Sequence, residues 1–138
     1  MHEFRYLGHI ITDDFKDDAD ITHEIRSLFY RTNMLIRRFG KCSVDVKRVL
    51  FKSYCLCLYD TALWKFYKTT VINKLKSAYI RCMKTFFGYS RYHSVTQMLL
   101  ELTLPSFETV IINSRFTFMK TYNSCSNESV SYLRVLDI

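Results

Sequence analysis

The residues able to do chemistry are few. The run Gly8-His9-Ile10-Ile11-Thr12-Asp13-Asp14 sets paired aspartates after an apolar stretch, the pattern in which two carboxylates hold Mg²⁺ in polymerases. Phe15-Lys16-Asp17-Asp18 follows rather than a second apolar strand, and only Glu3 lies upstream as a third carboxylate, so a metal-dependent active site is not expected. The histidines, at 2, 9, 23 and 93, have no metal-ligand spacing. Cysteines stand at 42, 55, 57, 82 and 125, with no CxxC. Cys55 and Cys57 would point about 200° apart on a helix and could not grip one ion together. The three glycines are too scattered for a phosphate-cradling loop. No catalytic residue, metal or cofactor is expected.

Positive charge carries the stronger signal. The net charge is +7, and its distribution is uneven. Residues 1–24 hold two basic and seven acidic side chains, whereas residues 25–91 hold fifteen basic and two acidic. Such a segment seeks an anionic partner, and nucleic-acid backbone is the commonest. Arg26 and Arg37 are eleven residues apart, close to three helical turns, with Tyr30 on the same face. Lys47, Arg48 and Lys52 begin a second basic row, and Lys74, Arg81 and Lys84 fall within about 80° of arc on a third. Rows of cations on helix surfaces suit phosphates, and aromatics among them suit base stacking.

Helices must carry these rows. Apolar residues at 21, 25, 28, 29, 35, 36 and 39 predict a helix over 21–39, capped from the acidic cluster Asp13–Asp20 and ended by Gly40. Ser43 should cap a second helix whose part from Val49 to Tyr67 is apolar nearly all round and central to the core, with Trp64 as its largest anchor. Asp60 is the odd residue there, read as a paired carboxylate or a cap. A third helix fits 71–87, closed by Gly88. Ser94-Val-Thr-Gln97 reads as a capping box for a short fourth helix, and Pro105 stands near the first turn of a fifth, to about Tyr122, with Phe107, Val110, Ile111 and Phe118 inward. Before these, Phe4, Tyr6 and Ile10 alternate with polar residues around Gly8, as in two short strands joined by a turn. The chain of 138 residues is expected to be mainly α: a bundle of four or five helices with a short N-terminal β element in residues 1–122 and a loose tail over 123–138.

The odd cysteine count and the lack of an apolar signal core point to an intracellular protein, nuclear or cytoplasmic. The longest uncharged runs fall far short of the ~20 residues of a membrane span.

Phe4-Arg5-Tyr6-Leu7-Gly8-His9-Ile10-Ile11-Thr12, then an acidic loop and Asp20-Ile21-x-x-x-Ile25-Arg26, resembles reverse transcriptases of LINE-type (non-LTR) retrotransposons at the primer grip and the start of the thumb. Val49-Leu50-Phe51-Lys52-Ser53-Tyr54, Leu58-Tyr59 and Trp64 look like the family's next helix, Leu75-x-x-x-Tyr79-x-x-x-Met83-x-x-x-Phe87-Gly88 like the one after, and Leu104-Pro105-Ser106 like a later helix start. The similarity covers roughly residues 3–120. Asp60 stands where the family has glycine, and with so few residues ahead of Phe4 neither fingers nor a catalytic palm is expected. The resemblance implies a thumb fragment that is not an enzyme by itself. Tyr6, Leu7 and Gly8 would be primer-grip-like, and an RNA–DNA hybrid or duplex would be the ligand. A reverse transcriptase palm in trans is an implied partner, and the N-terminal strands could self-associate. The alternatives are a helical protein-interaction or scaffold domain with ancestral binding lost, and a membrane-surface binder.

Overall fold

The computed structural model describes residues 2–56 and 58–136, with the backbone alone of Tyr59 and Asp60. Cys57, and the reading of the Asp60 carboxylate, lie outside what is described. Among the described residues the chain forms strands β1 (Glu3–Tyr6) and β2 (His9–Thr12), then helices α1 (Asp18–Phe39) and α2 (Val44–Tyr54). A short 3-10 helix (Tyr59–Leu63) follows, then α3 (Thr69–Phe87), α4 (Val95–Leu102), α5 (Phe107–Ser124) and α6 (Glu128–Leu136). The chain is mainly helical, as its patterning predicts.

β1 and β2 pair antiparallel, with Tyr6 opposite His9. The link is Leu7-Gly8, both at positive φ (49° and 85°), the two-residue turn that suits strand twist and for which glycine carries no steric cost. The hairpin is not a wholly exposed apolar patch: Ile10 and Thr12 are buried, while all of β1 is exposed.

α1 turns Ile21, Leu28 and Leu35 inward at seven-residue spacing, with Thr32 between them. α3 answers with Leu75, Ala78, Tyr79, Cys82, Met83 and Phe86, all buried, and this pair forms the spine of the core. Phe51 of α2 packs at 5.9 Å from Tyr79 and 5.7 Å from Phe87, ring centre to ring centre. Tyr79 also faces Phe107 of α5 at 6.0 Å and donates its hydroxyl proton to the Pro105 carbonyl at 2.8 Å. Burial pushes the Tyr79 hydroxyl above its ordinary range, so it stays a neutral donor.

The second helix differs from expectation. It stops at Tyr54 and buries Phe51 alone, instead of running apolar to Tyr67. Beyond it, the tighter winding around Tyr59–Leu63 turns Cys55, Leu58, Thr61 and Trp64 all into the core, which one straight helix could not do. The Thr61 hydroxyl holds this turn by bonding the Leu58 carbonyl at 2.8 Å. Gly40 is also not the left-handed cap its position suggests: its φ is −59°, and its N–H bonds the Ile36 carbonyl. Gly88 does take that form, at φ 76°.

Ser94 and Ser106 cap α4 and α5 by accepting from the N–H groups of Gln97 and Thr109. The Gln97 side chain reaches forward to Glu101, so the expected box is half formed, and Pro105 sits ahead of the α5 cap. On α5 Phe107 and Val110 are buried, but Phe118 is 42% exposed. Within the expected tail α6 forms, with no buried residue. Asn127 accepts from the Ser129 N–H at 2.9 Å, and Arg134 lies 5.5 Å over the Tyr122 ring while bonding the Cys125 carbonyl.

Candidate nucleic-acid interface

The acidic cluster positions the candidate interface. Asp17 stands at the head of α1 but makes no side-chain cap. Its Oδ2 instead accepts from the backbone N–H of Lys65 (2.8 Å) and Phe66 (2.9 Å), and its own N–H bonds the Phe66 carbonyl. Asp18 accepts from the Lys68 N–H at 2.8 Å. Asp20, only 1% exposed, accepts from the Ile10 N–H at 2.9 Å and the Trp64 indole N–H at 2.7 Å, with His9 Nδ1 3.0 Å away. Three carboxylates thus tie β2 and the segment leading into α3 to the start of α1. That clamp fixes the two long helices side by side.

Asp14 accepts from the Thr12 hydroxyl at 2.6 Å and the Lys16 N–H at 3.2 Å, and the Thr12 bond is the chief reason its carboxyl lies below the usual range. Among the described residues no group of three or more His, Cys, Asp or Glu side chains could hold a metal ion. Cys42, Cys82 and Cys125 are free thiols, and burial raises the Cys82 thiol, leaving it a packing group.

On their outer side α1 and α3 leave a groove of about 660 Å³, with Arg26 on one wall and Lys74 and Arg81 on the other. Arg81 sits at a junction. It also lines a hollow with Asn33 and Thr85, and another with Lys84 and Arg91. Its guanidinium lies 6.0 Å from the Phe29 ring centre, a cation–π contact that orients an exposed side chain. Among the described residues lining these three spaces none is acidic. The positive field is strongest toward Arg81, since Arg26 at the other end also borders a hollow lined by Glu3, Asp14 and Asp18. Further along α1, Arg37 and Arg38 share a hollow with Tyr30 and Asn33.

The eight expected cations divide. Arg26, Lys74 and Arg81 come together in the groove, and Arg37 extends the row on α1. Lys47 instead donates to the Phe86 carbonyl at 3.2 Å and lies over the Phe86 ring, holding α2 to the end of α3. Arg48 pairs with Asp45 at 3.2 Å, and Lys52 is exposed on α2, outside the groove lining. Lys84 donates to the carbonyls of Arg91 (2.9 Å) and His93 (2.8 Å), closing the loop after α3. Tyr6 and Leu7 stand exposed at the hairpin tip beside Gly8. Arg91 and Asn33 carry no sequence signal beyond their places four and seven residues past Phe87 and Arg26, and such spacings are common.

Lys84→Met is therefore expected to act on the fold. Two carbonyls lose a charged donor, so thermal unfolding should report a loss of about 1–2 kcal/mol. Affinity for nucleic acid should fall less than in Arg81→Met, measured side by side by fluorescence anisotropy.

No protein-family model, curated protein or solved structure matches the chain. No single helix among the described residues is long and apolar enough to cross a membrane. α4 and α5 together have the length and composition, but they bend by 58° and their apolar residues Met98, Leu102, Phe107 and Val110 are buried in the core.

Proposed function

We propose that this chain is a non-catalytic, thumb-like module that holds template–primer nucleic acid, an RNA–DNA hybrid or duplex, on the outer face of α1 and α3. The observation that carries the reading is the acid-free groove in which Arg26, Lys74 and Arg81 converge from two helices. The ordered matches to the retrotransposon thumb, from Phe4 to Ser106, support the same ligand independently of charge. Contacts of this kind go to phosphates and position a duplex without reading its sequence. A palm supplied by another chain would meet the exposed hairpin tip at Tyr6 and Leu7, which is also the surface for self-association.

Fluorescence anisotropy with a labelled RNA–DNA hybrid at low salt tests the proposal: absence of binding there sinks it. One observation favours the interaction-domain reading. Phe116 and Met119 on α5, and Tyr132, Leu133 and Val135 on α6, are each at least half exposed. Absence of hybrid binding would leave that reading in place.

A further inference from the structure

We infer that the α1 face holds a site for one unpaired nucleobase, stacked on Tyr30, beside the groove that carries the strand's phosphates. The inference rests on the proposed nucleic-acid reading and narrows its substrate to a strand with an unpaired extension. Tyr30 is 74% exposed although it lies mid-helix in α1, which packs along α3. It lines a hollow of about 450 Å³ with Asn33, Met34, Arg37 and Arg38. That set matches the parts of a nucleotide. The phenol ring offers a stacking face, and Met34 an apolar, polarizable neighbour. The Asn33 amide offers a donor and an acceptor to a base edge, and the two guanidinium groups suit the flanking phosphates.

Continuity with the groove is built in. Asn33 lines both this hollow and the one shared with Arg81. At 100° per residue, positions 26, 30, 33 and 37 lie within about 60° of arc, a row about 16 Å long. Phosphates running from Lys74 and Arg81 toward Arg26 and Arg37 would pass the ridge where Tyr30 stands. A paired base is held in its stack and cannot turn onto the ring; an unpaired one can. Stacking of this kind depends little on base identity.

The test compares a blunt RNA–DNA hybrid with the same hybrid bearing a short unpaired extension on either strand, with 2-aminopurine as the first unpaired base. The extended hybrid should bind at least about fivefold more tightly than the blunt one, the low end of measured base–aromatic stacking. The 2-aminopurine emission should be quenched on binding. Tyr30→Ala should remove both the advantage and the quench while leaving affinity for the blunt hybrid unchanged, and Tyr30→Phe should keep both. Equal affinity for blunt and extended hybrids, or an advantage that survives Tyr30→Ala, overturns the site but not the groove. Failure of the wild-type protein to bind any probe at low salt overturns both.

Discussion

Asp20→Ala is expected to destabilise the fold by about 3–5 kcal/mol, the range for breaking a buried polar network from one side. The carboxylate is 1% exposed and accepts from Ile10 and Trp64, two donors 10 and 44 residues away in the chain. Its removal takes the acceptor from both N–H groups, and each orphaned donor costs about 1–3 kcal/mol. Asp20→Asn keeps one carbonyl oxygen and should fall between the two. Trp64→Phe retains most of the buried ring area and removes one donor, for a loss of about 1–2 kcal/mol. Urea unfolding followed by the fluorescence of the chain's single tryptophan measures all but the last, which far-ultraviolet circular dichroism can follow. A loss below about 0.5 kcal/mol in Asp20→Ala, the size of an ordinary surface change, would mean the clamp does not hold hairpin, α1 and the Trp64 segment together.

That clamp shows what the sequence could and could not display. The acidic run Asp13–Asp20 is conspicuous, and helix-end chemistry is the local use for it. Its actual partners, the backbone of Lys65, Phe66 and Lys68 and the indole of Trp64, are set only by tertiary contact. The same limit governs the cations. Periodicity places Lys74 and Arg81 correctly on the solvent side of α3. It cannot reveal that Lys47 serves a carbonyl 39 residues on, at Phe86. Long amphipathic stretches with sharp stops, such as α1 and α3, are legible because one face is buried along their length. The end of α2 is not legible because a segment apolar on all sides has no period, and winding then follows packing. α6 is hard to see although Asn127 and Glu128 form a helix start, because without a buried face there is no apolar stripe to follow.

The second large effect concerns the groove. Arg26→Glu, Lys74→Glu and Arg81→Glu together should lower affinity for an RNA–DNA hybrid at least about 100-fold at low salt, since three favourable phosphate contacts become three repulsive ones. The three side chains are exposed, so the fold should lose no more than about 0.5 kcal/mol for each. Circular dichroism would confirm that the helices persist. The matched reversal of Lys52, exposed but outside the groove lining, should weaken binding far less. If the two sets of reversals act alike, the groove has no special part and net charge alone governs binding.

The central claim is that phosphates sit against Arg26, Lys74 and Arg81, and the salt dependence of binding tests it most directly. Each phosphate neutralised contributes about −0.9 to the slope of log affinity against log salt on B-DNA. A titration of the wild-type protein with a labelled DNA duplex, by anisotropy from about 50 to 200 mM salt, is predicted to give a slope of about −2.7 or steeper. The triple variant should lose about that much of it. A wild-type slope near zero, or one that the triple variant leaves unchanged, would contradict the account.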